Sequence, residues 1–212
     1  MSFGARALIR LGALQHNLNV IRAAAPGCKV MAVIKANAYG HGMVTVAQHL
    51  TDVDAFAVAR VPEAIELRRN GVTAPIVLLA GVMNAPELQA AVEWGFEPVV
   101  HCREQVQLLQ AAQTGSLTIW VKIDPGMNRL GFSTEQAPEV LSAVESASSV
   151  GEVRLMTHLS SADELQSRTT ADQLRRFKRV ADGFGGAVSI GNTPATFGWS
   201  AVREAQQKLG FS

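Results

Sequence analysis

Short continuous apolar runs alternate along the chain with stretches whose apolar residues recur at helical spacing. Leu14, Leu18 and Ile21 mark one face of a helix over 12–24. The run KVMAVIK (29–35) is short and apolar, as a strand buried on both faces should be. A short helix follows over 43–50, then a strand at AFAVAR (55–60). The next helix has Pro62 near its start and Gly71 past its end, the punctuation expected of helix termini. PIVLLAG (75–81) reads as a strand, followed by a helix with Asn84 as its cap and Gly95 beyond its end. FEPVVHC (96–102) reads as a strand weakened by Pro98, with a helix after it. LTIWVKID (117–124) is a strand, and Ser133 or Thr134 is placed to cap a helix reaching about residue 148. EVRLMTH (152–158) and AVSIGN (187–192) are the last two strands. They are separated by the helix TADQLRRFKRVADGF, and SAVREAQQKLGFS reads as a final helix.

Strict alternation of strand and helix predicts parallel strands joined by helical crossovers. Two architectures satisfy it, a doubly wound open sheet and a (β/α) TIM-type barrel. The barrel accounts better for Lys35, Arg60, Asp124, His158 and Asn192, each at or just past a strand end, because such ends converge on one mouth. The pattern yields about seven βα units where a complete barrel has eight. The expectation is a single α/β domain over 1–212, a parallel barrel that is apparently truncated.

Composition narrows the function classes. Charge is balanced at +1 over 212 residues, with no basic excess to suggest nucleic acid or an anionic membrane surface. No apolar run approaches the roughly 20 residues of a membrane span, and the N-terminus reads as carrying no signal peptide. Cys28 and Cys102 are isolated and outside any CxxC pattern, which suits a cytoplasmic location. The five histidines show no metal-ligand spacing, so no metal is expected.

The chemistry-bearing residues gather after the strands. A strand-end lysine walled by apolar residues loses hydration, a condition that favours its free amine as a nucleophile toward a carbonyl. Lys35 stands there, followed by Gly40 and Gly42, which allow close approach of backbone to an anion. Lys122 lies inside a strand and needs a partner or a modification, unless it points outward to a helix carboxylate. Arg129 follows in a glycine-containing loop, and His158 ends the sixth strand. Asn192 and Thr193 open a helix after the seventh strand, where they read either as a plain N-cap or as a phosphate site.

Together these motifs resemble one family. VIKANAYGHG (33–42) is similar to the pyridoxal phosphate attachment signature of bacterial alanine racemases. VKIDPGMNRLGF (121–132) resembles their KxDTGMxRLG stretch, THLSSADE (157–164) their HFxxADE stretch, and IGNTPA (190–195), more loosely, their phosphate loop. The resemblance runs from about residue 5 to about residue 199. It implies pyridoxal 5'-phosphate held by Lys35, which also serves as a catalytic base. It implies Tyr39, Asn192 and Thr193 at the phosphate, Arg129 at the phenolic oxygen and near the substrate carboxylate, and His158 facing the cofactor ring. Lys122 falls at a position often carbamylated, where the anion steadies Arg129. The implied activity is interconversion of L- and D-alanine in a homodimer.

The chain departs from the family after Trp199. It lacks the family's next motif, the arginine facing the pyridine nitrogen, the tyrosine that a partner subunit supplies as second base, and the C-terminal β-domain. Residues 1–11, read as an N-terminal strand, would normally join that β-domain. A weak or altered racemase is therefore expected. The alternatives are a non-catalytic pyridoxal phosphate carrier and a barrel fragment recruited to another phosphorylated substrate.

Overall fold

The structure, a computed structural model, describes residue 4, residues 6–113 and residues 115–211, the last four by their backbone alone. Its order is α1 (Leu11–Ala24), β1 (Met31–Val33), α2 (Lys35–Tyr39), α3 (Met43–His49), β2 (Ala55–Val58), α4 (Val61–Arg69), β3 (Ile76–Leu78), α5 (Ala85–Trp94), β4 (Phe96–Val100), α6 (Arg103–Ala111), β5 (Leu117–Lys122), α7 (Ala137–Glu145), β6 (Val150–Met156), α8 (Arg168–Ala181), β7 (Val188–Ser189), α9 (Thr193–Gly198), α10 (Ser200–Leu209) and β8 (Gly210–Phe211). All strand pairings are parallel, and the sheet order is sequential from β1 to β8. A doubly wound sheet would reverse that order.

The sheet curls. Ala57, Val77, Val99, Trp120 and Met156, from five successive strands, form one apolar cluster, against which Met31 of β1 and Ala187 beside β7 also pack. Residues that far apart along a flat sheet could not meet. The opposite faces of the strands pack outward on the helices in a second, larger core that includes Phe56, Leu67, Ile119, Leu155 and Phe177. At the N-terminal end of the barrel, Glu97 accepts hydrogen bonds from Trp120 Nε1 (2.8 Å) and Arg154 (3.1 Å). The Arg154 guanidinium lies 5.4 Å from the Trp120 ring centroid, closing the foot of the interior with a paired charge.

Seven expected strands stand at their expected places, mostly shorter than the apolar runs. Those runs continue into loops that stay buried, as Ile34 does. Pro98 lies inside β4, where it is tolerated because β4 pairs with β5 only from Val99 onward. The helix expected from Ser133 begins at Ala137, and Ser133 instead fastens the preceding turn by accepting from the N–H of Gln136. The final helix stops at Leu209, and Gly210–Phe211 adds a two-residue pairing on β7. Among the described residues, β1 and β8 end the ladder without pairing to each other. Residues 6–10 carry no strand and Leu11 opens α1, while residues 1–3 and 5 lie outside the described residues. No helix among the described residues is long and apolar enough to cross a membrane.

Candidate active site

The first strand delivers its lysine through an unusual turn. β1 stops at Val33, and Lys35 opens a single turn in which Ala36, Asn37, Ala38 and Tyr39 all have φ between 52° and 55°. Left-handed backbone costs a non-glycine residue roughly 1–2 kcal/mol, so the turn must be held from outside itself. Asn37 Oδ1 accepts from Met43 N–H (2.8 Å), Asn37 O accepts from Gly42 N–H (3.0 Å), and His41 Nδ1 lies 2.7 Å from Ala38 O. Gly40 and Gly42, with φ of 87° and 90°, return the chain into α3.

The fifth strand delivers Lys122 and, through a pinched loop, Arg129. The loop is closed at its base by Asp124 N–H to Phe132 O (2.8 Å) and Phe132 N–H to Lys122 O (2.9 Å). Gly131 makes that closure possible: its φ is 126°, and a Cβ there would sit 2.9 Å from Lys122 O. Asp124 organises the loop from within, accepting from the N–H groups of Gly126 (2.9 Å), Met127 (2.6 Å) and Arg129 (3.0 Å). Burial pushes the Asp124 carboxyl up, but these N–H donors, with Asn128, outweigh it and hold the carboxyl below its usual range.

These elements meet at the C-terminal mouth of the barrel around a cavity of about 420 Å³. Lys35, Tyr39, Lys122, Arg129, His158 and Asn192 all line it, and the volume falls within the range of small-molecule sites. Thr193 lines an adjoining cavity of about 450 Å³ that shares Tyr39, His158 and Asn192 with the first. Asn192 caps α9 through Ala195 N–H (3.1 Å) and donates to Leu159 O (3.0 Å), tying the seventh loop to the sixth. Arg60 lines neither cavity and stands exposed at the start of α4. Sequence reasoning missed Ser189, at the end of β7, and Gly191, just beyond it, which also line the cavity; a two-residue strand is too short to show the period-2 pattern that would have signalled them.

The mouth is cationic and partly dry. Lys122 is 8% exposed, and among the described residues its Nζ makes no hydrogen bond or ion pair. Burial first, and then the charges of Arg129 and Lys35 against a partial offset from Asp124, lower its pKa to about 8. Burial, then Lys122, Arg129 and Lys35, lower His158 to about 4, so its imidazole is neutral at pH 7. Among the described residues there is no group of three His, Cys, Asp or Glu side chains able to hold a metal ion.

Comparison with known proteins gives one result throughout. Residues 9–209 match the family described as alanine racemase, N-terminal domain. The alanine racemase of Coxiella burnetii (strain RSA 331) is 43% identical over 197 residues, covering 92% of this chain and 54% of its own length. That of Azoarcus sp. (strain BH72) is 45% identical, with 92% and 56% covered. The crystal structure of the biosynthetic alanine racemase from Pseudomonas aeruginosa superposes with a TM-score of 0.86 at 35% identity, over 90% of this chain and 54% of that one. The alanine racemase of Acinetobacter baumannii gives 0.83 at 33%, over 96% and 59%. The chain thus spans about half the length of the curated relatives it matches.

Proposed function

The chain belongs to the alanine racemase N-terminal domain family, and from that premise we propose that it binds pyridoxal 5'-phosphate on Lys35 and interconverts L- and D-alanine. The observation that carries this reading is the convergence of Lys35, Lys122, Arg129, His158, Tyr39 and Asn192 on one cavity. The donor set fits the cofactor's chemistry: an amine for an aldehyde carbon, and cations for phosphate and phenolate oxygens. When bound, the cofactor supplies an electron sink for the carbanion left at the alanine Cα.

In this reading Lys35 Nζ holds the cofactor and, once free, takes the Cα proton and returns it. Tyr39, Asn192 and Thr193 bind the phosphate. Arg129, its backbone held by Asp124 (3.0 Å), would donate to the phenolic oxygen and face the substrate carboxylate. His158, neutral at pH 7, would face the cofactor ring without adding charge there. Lys122 is the carbamylation site: its neutral amine adds carbon dioxide at Nζ, releases a proton, and becomes an anion paired with Arg129. Its lowered pKa of about 8 keeps part of the amine neutral at pH 7. Only Lys35 is assigned as base. A general base contributes roughly 10²–10⁴-fold.

The test is incubation with pyridoxal phosphate, borohydride reduction and peptide mass mapping, followed by deuterium uptake at the alanine Cα in D₂O. A pyridoxyl adduct on Lys35 and uptake from both enantiomers are expected. An adduct without uptake would leave a cofactor carrier. No adduct at Lys35 would overturn the reading.

A further inference from the structure

One carboxylate joins the two loops that flank the lysine. Glu63, in the first turn of α4, accepts from Ala36 N–H through Oε1 (2.7 Å). Its Oε2 accepts from Ala59 N–H (2.7 Å) and Arg60 N–H (3.1 Å). Ala36 adjoins Lys35 and is the first left-handed residue of the turn, while Ala59 lines the candidate cavity.

The other restraints on this turn are local. They run from Asn37 to Met43 and Gly42, from Gly40 to Ala36 and Asn37, and from Ala38 to Ile34 and His41. One of these also reaches the barrel frame, because Ile34, which accepts from Ala38 N–H, donates its own N–H to Ala57 O in β2 (2.9 Å). Glu63 comes from the next βα unit, across 27 residues of sequence, and so refers the turn to the barrel frame. Its bonds are charge-assisted, the stronger class of hydrogen bond.

We propose that Glu63 is a positioning residue for Lys35. It pins Ala36 N–H and the end of β2 to one carboxylate, and so sets where the lysine amine enters the mouth. The role of that amine toward pyridoxal phosphate rests on the function proposed above; the positioning itself does not. Glu63 also closes the first turn of α4 through Arg60 N–H (3.1 Å), while Pro62 and buried Val61, Ala64 and Leu67 hold the rest of that helix.

The test uses the full chain without added cofactor. Trace acetylation with acetic anhydride, read by peptide mass, gives the reactivity of Lys35 relative to Lys29 and Lys178. Hydrogen exchange of residues 34–43 and urea unfolding accompany it. Glu63→Ala is expected to change the relative reactivity of Lys35 at least threefold and to speed exchange at Ala36 about tenfold or more, with other helices unaltered. Glu63→Gln keeps the shape and one acceptor oxygen, so it cannot satisfy both loops and should fall between the two. It serves as the primary variant if Glu63→Ala does not fold. A purely structural role would instead raise exchange across the chain in step with lost stability. That pattern, or unchanged Lys35 reactivity and Ala36 exchange in either variant, overturns the proposal. If the native chain takes up no pyridoxal phosphate, the functional reading fails, while these measurements still decide the role of Glu63.

Discussion

Lys122 is a buried amine that makes no ion pair among the described residues, with Asp124 only partly offsetting its burial. Its pKa of about 8 means the unfolded chain binds the proton more tightly than the folded chain does. The unfolded state therefore holds more protons between about pH 8 and the ordinary lysine value, and stability rises with pH across that window. At neutral pH the buried ammonium costs the fold roughly 3 kcal/mol. Lys122→Met should stabilise the cofactor-free protein by about 2–3 kcal/mol at pH 7 in buffer depleted of carbon dioxide. The gain should shrink as the pH rises past 8. Urea unfolding at pH 7 and pH 10 checks this, and a gain of equal size at both values would show that the charge is not what Lys122 costs. Lys35, Arg129 and His158 were legible as residues because their positions after apolar runs are a local signal. The protonation of Lys122 and His158 was not, because it depends on charges brought in from other strands.

Elements were most legible where a cap residue announces them. Asn84 accepts from Glu87 N–H (2.9 Å), and the Glu87 carboxylate accepts from Met83 N–H (2.8 Å), a reciprocal closure of the first turn of α5. Asn84→Ala should cost about 1 kcal/mol, read as a lower urea midpoint with unchanged slope. A change below a few tenths would mean that Pro86 and the packing of Leu88 and Ala91 alone set the helix start. The left-handed turn after β1 shows the opposite case. Ala36, Asn37, Ala38 and Tyr39 include no glycine, and nothing in their types announces four positive φ values. The turn exists because Glu63, Asn37 and His41 close around it, and those contacts are visible only in three dimensions.

At the scale of the whole molecule, the sheet presents an open seam. β1 pairs only with β2 among the described residues, and the groove beside it is lined by Leu14, Leu18, Ile21 and Val33. Two ways of covering such a seam follow from the sequence: a dimer, or recruitment of ARALIRL (5–11) into the gap. Of ARALIRL (5–11), residue 5 lies outside the described residues, Leu8 is 80% exposed and Leu11 packs on the main core as the start of α1. Apolar side chains are also exposed at the mouth, at Tyr39 (61%), and in the loops after β3 and β6, at Met83 (63%) and Leu165 (56%). Unpaired edges and such patches favour association. Sedimentation equilibrium should therefore give a dimer at micromolar concentration. A monomer at every concentration tested would remove this expectation.

The sequence by itself determined the alternation of strand and helix, the caps, the placement of Lys35, His158 and Asn192 at strand ends, and Arg129 in the loop after the fifth strand. Each of these is written in residues that are neighbours along the chain, where apolar period and cap chemistry act. Tertiary structure decided the rest. It filled the interior of the expected barrel, because the inward side chains of successive strands close on one cluster around Trp120. It set the left-handed turn, the neutral His158 and the reach of Glu63 to Ala36, because burial, charge and cross-loop hydrogen bonds depend on residues that only folding brings together.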